Sequence, residues 1–421
     1  MLWRSCKTVL ACSALLMLAA HDPASAFTEQ TIYRFCSRDR CADGFSPGGP
    51  LVMDPMGKLY GANYNGGASG AGTIFELIPR GHNRWRYRVI YDFCTTIGCS
   101  DGRGPVNGLI IDRNGNLYGE NDSAIFELTP NPQQAKWAFH VLYDVRRSFG
   151  GYGPAGGLSY FGAALGQPYD GVSPLYGMTH DGGSVQKGAV FELAQRGESW
   201  QLSMLYNFCS KENCIDGAGP TGPLLVSAVG KIFGTTINGG NSACGCGTAY
   251  ELDQGRNGRW LQTTLHSFCS KSDCVDGAYP LGGLAVDAAG SLIGVTSQGG
   301  AKNLGAIYNI VPNGRRSRET VLHNFCSEAS CIDGEYPQLG VTPDASGDMI
   351  GTVSSGGAYG NGIVYRLSGS TFSTLYSFCP DSPQCADGEW PGPITLDAKG
   401  NIFGIAGGGI LGSGIAFELS P

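Results

Sequence analysis

Six short stretches of the chain each carry two cysteines and end in Asp-Gly, as in "FCSKSDCVDG" from Phe268. Paired thiols could either hold a metal ion or close a disulfide. A structural zinc site needs four ligands at one point, whereas each pair stands in its own stretch with no histidine inside it. We therefore predict a disulfide within each pair and no metal site. The predicted bonds join Cys36 to Cys41, Cys94 to Cys99, Cys209 to Cys214, Cys269 to Cys274, Cys326 to Cys331 and Cys379 to Cys385.

A further pair, Cys244 and Cys246, lies in the Gly-rich stretch "NSACGCGTAY". A C-x-C bridge closes a small ring and is easier to reduce than the other bridges, which leaves a redox or metal-capture role open. We favour a plain disulfide, because no Lys, Arg or His lies close in the sequence to activate a thiolate.

The Asp-Gly dipeptides supply six carboxylates at equivalent positions, and such a ring could bind calcium. An aspartate before glycine more commonly shapes a turn by accepting hydrogen bonds from nearby backbone N–H groups. We favour the turn and keep calcium as the alternative. The six residues are Asp43, Asp101, Asp216, Asp276, Asp333 and Asp387.

One part of the chain replaces the cysteine pair with "VRRSFGGYG", and the nearby "THDGG" adds a histidine and an aspartate. Two guanidinium groups beside an aromatic ring suit an acidic sugar or a carboxylate-bearing partner. Elsewhere, Trp390 follows the last Asp-Gly, where an exposed ring could stack on a sugar or anchor a protein partner. Apart from Trp390, the predicted ligand-binding residues form one notch and are Arg146, Arg147, Tyr152, His180 and Asp181.

All of these residues lie within a sequence repeat. The first cysteines recur with a period a little under sixty residues, and "HVLYDVRRSFGGYGPAGGLSY" from His140 fills the one double gap as a seventh copy. In the copy from Arg88, "RVIYDF", "GLIID", "NLYG" and "AIFEL" have the alternating or short apolar patterns of four strands. The tight turn "DRNG" makes neighbouring strands antiparallel.

Seven such units, each too small to bury its own faces, predict an all-β fold over residues 27–421, a single seven-bladed β-propeller of four-stranded antiparallel blades. A lone strand from Thr31 corresponds to the last strand of a unit, and the C-terminus supplies the first three. We therefore expect the N-terminal strand to pair near residues 415–419 and to complete the last blade. The alternative, a linear β-solenoid, would leave that strand unpaired.

The units "GGLAVDAAGSLIGVTSQGGAKNLGAIYNI" from Gly282 and "GVTPDASGDMIGTVSSGGAYGNGIVYRL" from Gly340 resemble the GloVer tandem-repeat family. The resemblance covers essentially all of the chain after residue 26. It implies an exported repeat protein, often with a C-terminal surface anchor, and it transfers no activity. No such anchor is visible in this sequence.

Catalysis on a propeller of the lactonase or lyase kind requires titratable or amide side chains where the inner strands reach the central channel. Those positions are mainly Gly and Pro, and Asn107 is the one polar residue among them. His180 and Asp181 are adjacent, so on a strand their side chains would point apart. We predict a binding or scaffolding function with no catalytic set and no cofactor. A carbohydrate- or lactone-directed hydrolase or lyase is the alternative.

Residues 1–26 have the pattern of a secretory signal peptide, with Arg4 and Lys7 before an apolar run and "ASA" at its end. A lipoprotein signal ending at Cys12 has weaker support, because too few apolar residues precede it. The net charge of −7 includes no basic block that would attract nucleic acid. No later segment has the ~20 apolar residues that span a bilayer. We predict a secreted or periplasmic monomer that binds an extracellular polysaccharide or a surface protein.

Overall fold

The computed structural model describes residues 27–131, 136–147 and 154–421. The predicted signal peptide and Tyr152 lie outside the described residues. Seven separate antiparallel sheets, six of four strands and one of five, form the blades of a β-propeller. The predicted fold is therefore confirmed.

Each blade runs outward from an inner strand beside the central channel to an outer strand. In the fifth blade the inner strand is split in two. The first blade consists of β2 (Phe45–Met53), β3 (Leu59–Asn65), β4 (Thr73–Pro79) and β5 (Trp85–Asp92). The second consists of β6 (Val106–Ile111), β7 (Leu117–Glu120), β8 (Ala124–Thr129) and β9 (Ala138–Asp144). The third consists of β10 (Ala155–Tyr160), β11 (Leu175–Thr179), β12 (Ala189–Arg196) and β13 (Ser199–Asn207). The fourth blade consists of β14 (Ala218–Val226), β15 (Ile232–Asn238), β16 (Thr248–Gln254) and β17 (Trp260–Ser267). The fifth consists of β18 (Ala278–Pro280), β19 (Ala285–Val286), β20 (Leu292–Gln298), β21 (Ala306–Val311) and β22 (Arg318–Asn324). The sixth consists of β23 (Thr342–Pro343), β24 (Met349–Val353), β25 (Ile363–Ser368) and β26 (Thr371–Ser377).

The seventh blade is built from both ends of the described chain. β27 (Glu389–Leu396), β28 (Ile402–Gly407) and β29 (Ile415–Ser420) are joined by β1 (Thr28–Arg34). The register runs from Thr28 opposite Ser420 to Arg34 opposite Ile415. The predicted closure is confirmed, and it gives β29 a hydrogen-bonded neighbour on each side.

The hydrophobic core lies between neighbouring blades. A glycine on the second strand of each blade faces an aromatic ring on the third strand, and a Cβ added at Gly61 would lie 2.5 Å from the ring of Phe75. No side chain fits at that distance. The repeated words "LYG" and "IFG" in the sequence mark these close contacts.

The segment from the last strand of one blade to the first strand of the next is called a corner here. Six corners begin with a fully buried phenylalanine, such as Phe268, followed by the cysteine pair. All six predicted pairs are disulfide-bonded, as are Cys244 and Cys246. The prediction of disulfide bonds is supported.

The third copy of the repeat forms a complete four-stranded blade despite its divergent sequence. Its extra residues, 161–174, lie in the turn between β10 and β11. Tyr169 within them is fully buried and bonds through its backbone to Ile111 and Arg113 of the second blade. Ala164 packs against the core between the fourth and fifth blades. The insertion thus lies across one end of the central channel.

Within the described ranges, no helix is long and apolar enough to cross a membrane.

Candidate functional site

The corners and the loops between second and third strands lie on one side of the propeller, because consecutive strands alternate in direction. We call this side the corner face. The turns between first and second strands, and those between third and fourth strands, form the opposite side, which we call the turn face. The insertion at residues 161–174 lies on the turn face, away from the predicted notch.

The Asp-Gly carboxylates hold the corners together. Asp43 accepts four hydrogen bonds: from the hydroxyls of Tyr33 and Ser37, and from the backbone N–H groups of Ser37 and Arg38. Burial alone would raise the pKa of Asp43, but these bonds hold it below its usual value. The equivalent aspartates are also buried. In five of the six, donors occupy both carboxylate oxygens, and in Asp101 they occupy Oδ2 only. We interpret all six as turn-formers.

The two arginines of the predicted notch lie at the start of a corner. Arg146 forms a two-point contact with Asp144, with its Nε 2.9 Å from Oδ1 and its Nη2 2.5 Å from Oδ2. Its guanidinium therefore already has a carboxylate partner. Arg147 ends a short 3-10 turn, and only its backbone is described.

His180 and Asp181 contact each other, with Nδ1 of His180 3.1 Å from Oδ2 of Asp181. Our expectation that adjacent side chains would point apart is wrong here, because β11 ends at Thr179 and both residues lie in the loop beyond it. The His180 ring lines the mouth of the central channel.

A cavity of about 550 Å³ occupies the central channel. Its wall is mostly glycine and proline backbone with apolar side chains such as Leu284. It is more polar than Asn107 alone would make it, since five further polar side chains reach it. Those five are His180, Thr221, Gln338, Thr342 and Thr352. His180 is the one titratable group among the described lining residues.

Behind Asn107 lies Glu120, a carboxyl group only 1% exposed. Its Oε1 accepts hydrogen bonds from Nδ2 of Asn107 (2.7 Å) and from the backbone N–H of Gly157 in the next blade (3.1 Å). Oε2 has no hydrogen-bond partner among the described residues. Burial raises the pKa of Glu120 to about 7, although both hydrogen bonds oppose the shift. The residues at its position in the other blades are Ala62, Met178, Thr235, Val295, Thr352 and Ile405.

Three exposed or partly exposed aromatic residues occupy one repeat position on the corner face. Tyr279, Tyr336 and Trp390 each directly precede a proline where the chain enters a blade, and we call them the aromatic arc. Each adopts a left-handed backbone conformation, with φ of 56°, 54° and 53°. Their N–H groups bond to carbonyls of the preceding blade, at Cys246, Leu304 and Asn361. Trp390 is 56% exposed and Tyr336 is 42% exposed.

A groove of about 430 Å³ separates two members of the arc. Tyr279 and Tyr336 line it together with the exposed amides of Gln298 and Gln338. Leu281 and Gln338 also line the central cavity, so the groove and the channel mouth are continuous. We call it the tyrosine groove. Aromatic rings beside uncharged amides can both stack on a ligand and bond to its hydroxyls.

Of the predicted binding residues, Trp390 belongs to this surface and His180 lies at the same channel mouth. Tyr279 and Tyr336 are not among the residues predicted from the sequence. A signal for them exists, because "AYPLGG", "EYPQLG" and "EWPGP" place an aromatic residue where "RGPVNG" and "AGPTGP" place glycine. An aromatic residue at a position where related repeats have glycine indicates that the side chain, and not the backbone conformation, determines which residue stands there.

No curated protein matches this chain in sequence. Among solved structures, the chain is similar to the extracellular domain of a hybrid two-component system from B. thetaiotaomicron, with 14% identity and a TM-score of 0.51 over 93% of this chain and 39% of that chain. It is also similar to a puromycin-hydrolyzing peptidase from Mycobacterium tuberculosis, with 10% identity and a TM-score of 0.53 over 90% of this chain and 53% of that chain. The chain spans only about two fifths of the first of these proteins. At these identities the similarity concerns the propeller fold alone.

The family comparison agrees with the repeat pattern. The model of the Gloeobacter/Verrucomicrobia repeat matches residues 121–341, which is more than half of the chain. The match spans the divergent third copy and the three corner disulfides that follow it, up to Cys326–Cys331. The chain therefore belongs to the Gloeobacter/Verrucomicrobia repeat family.

Proposed function

We propose that this chain is an exported binding propeller that holds a neutral polysaccharide on its corner face. The aromatic arc beside the tyrosine groove carries the proposal. Three consecutive blades carry an aromatic residue at the same repeat position, and two of these residues line a groove that continues into the channel mouth. Stacking on successive sugar rings is the chemistry that such a row supports.

The backbone of the arc strengthens this argument. A non-glycine residue in the left-handed region costs about 1–2 kcal/mol, and the residue before a proline is restricted further. At the equivalent positions Gly104 and Gly219 take the same conformation with no side chain to strain them, and Ser46 takes it with a small one. The chain thus keeps aromatic side chains where glycine would be locally more stable, and such strain is typical of functional sites.

The charge of the surface favours a neutral ligand. None of the residues that line the tyrosine groove carries a charge, and the whole chain has a net charge of −7. A polyanion would therefore meet no cation among the described residues that line this groove. Neutral sugar hydroxyls, in contrast, match the amides of Gln298 and Gln338.

Export is part of the proposal. Seven disulfides in a chain of 421 residues are typical of a protein that matures in an oxidising compartment. The predicted signal peptide at residues 1–26 agrees with this. Signal cleavage before Phe27 is tested by N-terminal sequencing of the exported chain.

A retention screen tests the binding function. The exported chain is passed over immobilised neutral polymers (β-glucan, xylan, mannan) and acidic polymers (alginate, pectate). We expect the native protein to be retained on at least one neutral polymer, and we expect the double variant Tyr336→Gly/Trp390→Gly to lose this retention. Retention only on acidic polymers, lost in Arg146→Ala/Arg147→Ala, would place the site in the notch instead. No retention on any polymer would overturn the glycan proposal.

A second candidate function, a glycan- or lactone-directed hydrolase, is favoured by one observation. The imidazole of His180 stands at the channel mouth with its Nδ1 held by Asp181, which leaves Nε2 available as a general base. Product analysis on any polymer that binds separates the two functions. Turnover that disappears in His180→Ala while binding persists would establish the hydrolase, and unchanged polymer would support binding alone.

A further inference from the structure

Three sulfur atoms from two disulfides meet beside the fourth blade. The Sγ atoms of Cys244, Cys246 and Cys269 all lie within 4.8 Å of one another. Cys244 is bonded to Cys246, and Cys269 is bonded to Cys274. In the described part of the chain no other three cysteines lie this close. A loop disulfide therefore touches a corner disulfide at this one place.

The sulfur cluster exists because one loop is longer than its counterparts. Six residues separate Gly240 from Gly247, whereas four separate Gly300 from Gly305. The longer loop keeps the usual frame, since Gly247 still donates to Gly239, as Gly305 does to Gly299.

The two cysteines of this loop are placed differently. Cys246 forms a bridge with Gly239, and its carbonyl accepts the N–H of Tyr279. Its backbone is thus fixed from both sides, which holds its sulfur beside Cys269. Cys246 is only 3% exposed, Cys269 is partly buried, and Cys244 is exposed. An incoming thiolate from solvent therefore reaches Cys244 first.

We propose that these two disulfides form a single thiol–disulfide exchange site, open to an external thiol at Cys244 and connected through Cys246 to Cys269. The external partner is a thiol or dithiol of another exported molecule. This function is independent of polysaccharide binding.

The exchange balances in three steps. An external thiolate bonds to Sγ of Cys244, the Cys244–Cys246 bond breaks, and Cys246 leaves as a thiolate. Cys246 then bonds to Sγ of Cys269, the Cys269–Cys274 bond breaks, and Cys274 leaves as a thiolate that takes a proton from water. A second external thiolate attacks the external sulfur bound to Cys244. This step releases an external disulfide and leaves Cys244 as a thiol. Two external thiols are oxidised, and one protein disulfide is reduced.

The Cys274→Ser variant tests the connection. It leaves Cys269 as a thiol beside the intact loop disulfide. The matched control is Cys331→Ser, which leaves Cys326 in an equivalent corner without a third sulfur. Both proteins are purified without reductant, alkylated, and mapped by non-reducing peptide mass spectrometry. In Cys274→Ser we expect a Cys246–Cys269 bond and alkylated Cys244, and in the control alkylated Cys326. Alkylated Cys269 with the loop disulfide intact would overturn the proposal.

The unaltered protein gives a second test that does not depend on how the variant folds. It is incubated with limiting glutathione, quenched with acid and mapped in the same way. The first adduct should appear on Cys244, and the Cys244–Cys246 bond should open at least tenfold faster than the Cys326–Cys331 bond. Equal rates at the two sites would overturn the proposal.

Discussion

Nε2 of His266 lies 3.0 Å from Oδ2 of Asp276. In the preceding corner, the phenolic oxygen of Tyr206 takes the equivalent position, 2.6 Å from Oδ2 of Asp216. Both aspartates also accept bonds from the serine after the first cysteine. Each of the six cysteine-bearing corners thus has one polar ring on the outer strand whose polar atom lies close to the buried carboxylate. The identity of the ring is secondary.

Removing that ring nitrogen should destabilise the fold. His266→Phe leaves Asp276 with one fewer donor, and we expect the free energy of unfolding to fall by about 1–3 kcal/mol. His266→Tyr restores the arrangement of the other corners and should stay within about 1 kcal/mol of the native protein. Denaturant titration of both variants measures this. Equal stability of the two would show that the His266–Asp276 contact contributes nothing.

Glu120 should make stability depend on pH. Its pKa is raised to about 7 from an ordinary 4.5, so the folded state prefers the protonated carboxyl. Its stabilising contribution is complete below pH 4.5 and is lost as the pH rises through about 7. We expect unfolding free energy to fall by about 2 kcal/mol between about pH 5 and pH 8 from this group. Glu29, whose pKa burial also raises to about 7, adds a loss of the same sign.

Glu120→Thr isolates the Glu120 part. Threonine occupies this position at Thr235 and Thr352, so the variant is compatible with the repeat. It should be more stable than the native protein at about pH 8 and should retain only the smaller pH slope. An unchanged slope would mean that the buried carboxyl does not titrate in this range.

The corner disulfides should act locally and additively. A disulfide that closes a loop of about six residues lowers the entropy of the unfolded chain and so stabilises the folded protein by about 2 kcal/mol. Cys209→Ser/Cys214→Ser should therefore lower the unfolding free energy by about that amount without altering the far-ultraviolet circular dichroism. A loss of the folded state would show that this corner depends on its disulfide bond, unlike the corner before the third blade, which has no cysteine pair.

Closure by β1 should control solubility. A chain that begins at Cys41 lacks the partner of β29 and exposes the backbone of that strand. Light scattering should show aggregation of this chain and a monomeric chain that begins at Phe27. A soluble, equally stable shortened chain would contradict the role of β1.

The sequence determines the blades more completely than the site. Repeated words such as "LYG" mark ring-to-glycine contacts inside every blade, so seven blades and their closure are predictable from them. At Tyr279 and Tyr336 the sequence shows only an aromatic residue where other repeats have glycine; their positive φ and their bonds to carbonyls of the preceding blade require the structure. The contact of Cys269 with the loop disulfide likewise joins residues whose neighbourhood depends on how two blades pack.

The most direct measurement is calorimetric titration of the retained neutral polysaccharide into the native protein, Tyr336→Gly, Trp390→Gly and His82→Gly. His82 is exposed with φ of 52° on the turn face, so its glycine variant relieves the same backbone strain away from the arc. We expect at least a tenfold loss of affinity, about 1.4 kcal/mol, in each arc variant, with melting temperatures close to the native value and no loss in His82→Gly. Unchanged affinity in Tyr336→Gly and Trp390→Gly would contradict it.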